Sequence, residues 1–146
     1  MTLSRLENRL LQERLITQAQ LEEITQAQKK ERKSIIELMV DYGHVKEEVI
    51  AGFLSREYNL AFIRPEDNRL YPIPEENLEE LIPYEFAARR NALALCRDLS
   101  SLTVAVFDPT DFELIGNLES VAGCSIKLVV ATRSNLQKAI KEFYGK

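Results

Sequence analysis

LTVAVFDPTDFELIGNLESVAGCSIKLVVAT, residues 102–132, holds a strand, a helix and a second strand with their own start and stop signals. Residues 102–107 form a short β-branched and apolar run that reads as a buried strand. Asp108 offers a side-chain acceptor where a helix begins, and Pro109 suits a first helical turn. Phe112, Ile115, Leu118 and Val121 recur at helical spacing with Leu114 beside them, and Gly123 supplies a left-handed stop. Residues 126–131 read as a second strand. A helix joining two strands of one sheet favours a parallel, right-handed crossover, so this stretch predicts a small α/β core.

Downstream, Thr132 or Ser134 caps a last helix whose apolar side is Leu136, Ile140, Phe143 and Tyr144. Upstream, residues 92–96 read as a strand, 98–101 as a turn, and 102–107 as the antiparallel return. Residues 75–81 and 84–90 read as two short helices separated by Pro83, which cannot continue the first one's hydrogen bonding. Pro65, Pro72 and Pro74 punctuate the segment before them, and residues 60–63 read as a short strand.

The N-terminal part is a helix pair written twice. Leu3, Leu6, Leu10 and Leu11 share one face of a first helix; Thr17 and Gln20 form a capping-box pattern for a second, continued by Leu21 and Ile24. The charged run 29–33 ends that helix or carries it into solvent. A third helix starts near Ser34, with Ile35, Leu38 and Met39 inward and Gly43 as its stop, and a fourth uses Val49, Ile50, Phe53 and Leu54. An offset of 29 places Leu10 over Met39, Leu21 over Ile50 and Gln28 over Glu57. One short pair cannot bury its apolar face alone, so two copies are expected to pack together. The fold class is α+β: a four-helix subdomain at 1–58, a connection at 59–74, and a small mixed-sheet subdomain at 75–146.

Composition limits the function. The chain has 146 residues, with 19 Lys plus Arg against 23 Asp plus Glu, and a net charge of −4 disfavours a polyanion partner such as nucleic acid. Cys96 and Cys124 lack CxxC spacing and read as buried structural thiols. His44 is the single histidine, which excludes a multi-histidine metal site. Asp108 and Asp111 sit at a helix start, where capping is a better account than acid–base chemistry. No apolar run approaches the ~20 residues of a membrane span, so a cytoplasmic protein without direct membrane insertion is expected. The phosphate-wrapping string GxxxxGK[ST] does not occur in these residues, and no catalytic constellation is found.

Five stretches in order carry a resemblance: ITQAQLEEITQAQ (16–28), VDYGHVKEEVIAGFLSREYNLAFI (40–63), IPYEFAARRNALAL (82–95), LTVAVFDPTD (102–111) and VVATRSNLQKAIKEFYG (129–145). The chain resembles the N-terminal domain of type II secretion and type IV pilus assembly ATPases, the MshEN or secretion-protein-E N-terminal domain. The resemblance implies a noncatalytic module that docks an assembly ATPase to the cytoplasmic part of an inner-membrane platform protein, or a free-standing adaptor binding either one. It implies recruitment to the inner membrane through that partner, with no cofactor.

Some members of that family bind cyclic di-GMP through two copies of RLGxxLVxxGxIxxxxLxxxLxxQ separated by five residues. The resemblance places the copies here at 5–28 and 34–57. The corresponding candidate ligand positions are Arg5, Leu6, Leu10, Leu11, Ile16, Leu21 and Gln28, then Ile35, Met39, Val40, Gly43, Val45, Ile50 and Leu54. Several motif positions depart. Glu7 and Arg14 stand at glycines of the first copy, and Thr25 at its last leucine. Ser34 stands at the arginine, Ile36 at a glycine and Glu57 at the glutamine of the second. Glycine admits a bulky ligand near the backbone and arginine pairs with phosphate, so these changes weaken the case for a nucleotide. A duplicated structural hairpin accounts for the surviving apolar positions equally well. Helix-turn-helix DNA binding, the third reading, is opposed by the acidic balance.

Overall fold

Ser4 and Glu7 start the first helix reciprocally: the Glu7 amide donates to Ser4 Oγ at 3.1 Å, and the Ser4 amide donates to Glu7 Oε1 at 3.0 Å. The computed structural model describes residues 3–64, 66, 70, 72 and 77–145. Helix α1 (Arg5–Gln12) is followed by α2 (Gln18–Glu31), capped by Thr17 and Gln20 in the same way. The charged run ends α2, because Arg32 takes a left-handed conformation (φ 54°) at its C-cap. Ser34 Oγ accepts from the Glu37 amide to open α3 (Ile35–Asp41), and α4 (Glu47–Tyr58) follows.

The duplication extends to the backbone. At the end of α1 the Glu13, Arg14 and Leu15 amides donate to the Arg9, Leu11 and Leu10 carbonyls at 3.0, 3.1 and 3.0 Å. At the end of α3 the Tyr42, Gly43 and His44 amides donate to Leu38, Val40 and Met39 at 2.9, 3.0 and 2.9 Å. These are two Schellman closures in register, with Arg14 (φ 58°) in the left-handed position that Gly43 (φ 74°) fills in the second copy. The helix starts are not in the same register. Ser4 and Ser34 are 30 apart while the closures are 29 apart, so α3 is one residue shorter than α1.

The chain divides into two compact units, Met1–Ile50 and Ala51–Lys146, with the division inside α4 rather than after residue 58. Ala51, Phe53 and Leu54 of α4 belong to the second unit, as does β1, so 59–63 is not merely a connection. Most of 64–76 lies outside the described residues. The first unit buries Leu10, Ile16, Leu21, Ile24, Ala27, Ile36, Leu38, Met39 and Ile50. In α2 the buried positions follow i, i+3, i+6, the stripe an amphipathic helix presents to a core.

In the second unit β1 (Phe62–Ile63) precedes two short helices, α5 (Leu78–Leu81) and α6 (Tyr84–Arg90), and then β2 (Ala92–Arg97) and β3 (Ser101–Val106). Residues 75 and 76 of the first expected helix lie outside the described residues. Helix α7 (Phe112–Ala122), strand β4 (Ser125–Ala131) and helix α8 (Arg133–Tyr144) complete the chain. The sheet runs β1-β4-β3-β2. β2 returns antiparallel to β3, while β3, β4 and β1 are parallel, as a helical crossover between β3 and β4 requires. Leu95 is an extra residue between the Ala94↔Val104 and Cys96↔Thr103 pairs, a bulge that keeps its side chain buried. Helix α6 packs on β2 and α8, α8 on β2 and β3, and α7 on β4.

Four expectations change, the first in α4, where Val49 is exposed while Ile50, Phe53 and Leu54 are buried. The helix after β3 starts at Asp111, whose Oδ1 accepts from the Leu114 amide at 3.1 Å. Asp108 instead closes the preceding turn, accepting from the Thr110 amide at 2.9 Å, and Pro109 lies in that turn. The buried face of α7 is Leu114 and Leu118, whereas Phe112 is 76% and Val121 44% exposed. Phe112 projects opposite Leu114 on the wheel, and Val121 lies in the last turn. Cys96 and Cys124 are free thiols and half-buried rather than buried.

Candidate functional site

The turn between α3 and α4 is clamped to α2 by two side chains flanking Gly43. His44 Nε2 lies 2.7 Å from Glu23 Oε1, and the Tyr42 hydroxyl donates to Glu31 Oε2 at 2.9 Å. The two rings meet edge to face at 6.0 Å. The bond to Glu31 holds the Tyr42 phenol above its usual pKa. Lys33 donates to Asp41 at 3.0 Å, and that bond followed by Coulomb attraction raises its ammonium pKa. The second copy's turn is therefore fastened by polar contacts, and His44 is a fastening residue.

The motif positions divide by burial. Leu10, Ile16, Leu21, Met39 and Ile50 are buried in the first unit and Leu54 in the second. Leu6, Leu11, Gln28, Ile35, Val40 and Val45 are half-buried, and Arg5 and Gly43 are exposed. Two departures from the motif have structural occupations: Glu7 completes the box that opens α1, and Ser34 caps α3. Both commit their polar groups to helix starts.

A second feature was not anticipated from sequence. Between α6 and α8 lies a cavity of about 310 Å³ lined by Tyr84, Ala88, Asn91, Gln137, Ile140 and Lys141. Asn91 occupies the left-handed C-cap of α6 (φ 53°), and its amide oxygen is buried with no hydrogen-bond partner among the described residues. Tyr84 and Tyr144 pack edge to face at 5.6 Å at the same helix pair. The Tyr144 hydroxyl donates to the Ile82 carbonyl, and burial, then Glu79, pushes its pKa up to about 12.

Elsewhere, Asp98 accepts from the Ser100 and Ser101 amides at 2.9 and 2.8 Å and from Ser101 Oγ, with Lys127 at 3.3 Å. These donors, the Ser100 amide foremost, hold its carboxyl below the usual range. The cluster closes the β2–β3 turn. Among the described residues no group of three His, Cys, Asp or Glu side chains is placed to hold a metal. No described helix is long and apolar enough to cross a membrane.

The MshEN domain family matches residues 56–146. The type IV pilus assembly ATPase PilB of Myxococcus xanthus (strain DK1622) is 29% identical over 141 residues, which is 97% of this chain and 24% of PilB. The chain thus spans about a quarter of that relative. Among solved structures, MshE with cdg has a TM-score of 0.72 at 24% identity, covering 97% of this chain and all of that one. The N-terminal domain of XpsE, in one crystal form, has a TM-score of 0.80 at 19% identity, covering 99% of this chain and 100% of that one. These two likenesses concern the fold, and both cover the helical repeat as well as the sheet. With more than half of its length matched, the chain belongs to the MshEN domain family, the N-terminal domain of type II secretion and type IV pilus assembly ATPases.

Proposed function

We propose that this chain is a noncatalytic interaction module of a type II secretion or type IV pilus system, docking an assembly ATPase to the cytoplasmic part of its inner-membrane platform protein. The observation that carries the reading is the match to PilB, which takes in nearly all of this chain but a quarter of the motor. A region that accompanies a motor without its phosphate-binding string is suited to positioning it. The module works at the cytoplasmic face of the inner membrane, held there by its partner, or serves as a free-standing adaptor. Calorimetric titration of the folded chain with the purified cytoplasmic part of the platform protein tests this. Saturable binding is expected, and its absence at high concentration refutes the docking role.

A second reading, a cyclic di-GMP receptor, is favoured by the likeness to MshE with cdg over 97% of the chain. The left-handed turns of both copies support it, since the backbone of the motif persists even where Arg14 replaces glycine. The carboxylates Glu7 and Glu57 oppose it, because they bring negative charge to an anionic ligand. Titration with cyclic di-GMP, with cyclic di-AMP and GTP as controls, separates the readings. Selective binding lost in Arg5→Ala supports the receptor, and no heat from the folded protein removes it.

A further inference from the structure

The α6–α8 cavity combines features that neither a core nor a plain surface needs. Its walls are apolar or aromatic at Tyr84, Ala88 and Ile140, and polar at Gln137, Lys141 and Asn91. Ala88 is exposed, so the groove is open there because its side chain is short. The amide oxygen of Asn91 is a buried acceptor without a donor, a state native structures seldom leave unexplained. The broad χ2 well of asparagine lets that amide turn toward an entering N–H group.

Charge selects the occupant. The two helices carry Arg89, Arg90, Arg133, Lys138 and Lys141 against Glu85 and Glu142, in a chain whose net charge is −4. Arg90 is engaged by Asp111 at 3.3 Å, Arg133 lies over Phe107 at 5.9 Å and Arg89 over Phe86 at 6.0 Å, whereas Lys141 lines the cavity and the exposed Lys138 stands one helical turn before it. A partly apolar cavity with Lys141 in its wall and a basic excess on the two helices that form it attracts acidic segments and disfavours basic ones.

We propose that the α6–α8 groove takes an acidic peptide segment of a protein partner. One apolar side chain of that segment fills the cavity between Tyr84, Ala88 and Ile140, and a carboxylate meets Lys141. A backbone N–H of the segment reaches the Asn91 amide oxygen, with Gln137 free to serve as a second hydrogen-bonding group. At about 310 Å³ the cavity holds one large anchor rather than a helix, which sets the scale of the contact. The proposal rests on the docking reading above and assigns its surface and the chemistry of the partner's segment.

The experiment titrates the wild-type chain, Ala88→Leu and Lys141→Glu with the purified cytoplasmic part of the platform protein, in low and high salt. Both substitutions are at exposed positions, and circular dichroism confirms that each variant is folded. Filling the groove with leucine is expected to weaken binding at least tenfold at either salt concentration. Lys141→Glu is expected to weaken it at least tenfold in low salt and to flatten the salt dependence. Wild-type binding that both variants retain overturns the proposal and leaves the docking reading standing. Phe112→Ser, at an exposed position of α7, is titrated alongside, and binding lost there with both groove variants intact overturns the proposal by moving the surface to α7. No wild-type binding refutes the docking reading, and the groove assignment falls with it.

Discussion

Exchanging the residues at the two left-handed turns should shift stability in opposite directions. Gly43 has φ 74° and a Cβ built there meets nothing within 4 Å, so Gly43→Ala brings no clash and its cost is conformational. Placing an L-residue in the left-handed region costs roughly 1–2 kcal/mol, offset by ~0.4–1 kcal/mol from a stiffer unfolded chain. The net expectation is a loss of about 1 kcal/mol. Arg14 stands in the equivalent turn at φ 58°, exposed, so Arg14→Gly relieves the same strain and should gain up to about 0.5 kcal/mol. Urea unfolding read by far-ultraviolet circular dichroism gives the comparison from shifts in midpoint at constant slope. The double variant should remain about 0.5 kcal/mol or more below wild type, the sum of the two effects, because the turns make separate hydrogen bonds. Gly43→Ala as stable as wild type, or Arg14→Gly clearly less stable, would show that the two closures are not equivalent and that the strain argument is wrong.

Asp98→Asn should lower stability at neutral pH, and the difference should shrink as acid is added. A depressed folded pKa contributes stability above the unfolded value near ~3.9 and loses it as pH falls toward the folded one, which urea midpoints from pH 7 to pH 2.5 would follow. Tyr144 has the opposite sign: its raised pKa of about 12 favours the neutral phenol, so stability declines as pH rises from about 10 toward that value. Tyr144→Phe should remove that part of the alkaline decline, with the hydroxyl's bond to Ile82 lost at every pH. On α7, Leu118→Ala at a fully buried position should cost about 2–5 kcal/mol, and Phe112→Ser less than about 0.5 kcal/mol. Equal losses at the two positions would reverse the assignment of the helix face.

What sequence revealed and what it hid follow from the range of the interactions involved. The strand–helix–strand unit at 102–132 was legible because β-branched runs, helical spacing and the Gly123 stop are local signals that agree. The repeat was legible from apolar spacing alone. The face of α7 was misread because Phe112, at the first helical position, counts as apolar in a periodicity but projects away from β4. Asp108 and Asp111 compete as caps in a four-residue stretch, and hydrogen bonding to Thr110 decides between them. The bulge at Leu95 has no signature in ALALCR, since a register shift belongs to a strand pair and not to one strand. The α6–α8 groove was hidden for the same reason: its lining comes from two helices separated in sequence, and no spacing rule joins Asn91 to Lys141.

The start of α3, one residue later in the repeat than the start of α1, makes the divergence of the two copies hard to undo. Ser34 occupies the place of the motif's arginine and is also the N-cap, so restoring arginine there removes a cap worth about 1 kcal/mol before any ligand is gained. Restoring glycine at Glu7 likewise dismantles a capping box and puts glycine inside a helix, at about 1 kcal/mol more. Either change therefore begins by lowering the stability of the fold. A designer introducing glycine at position 7 or arginine at position 34 would need to relocate the caps first.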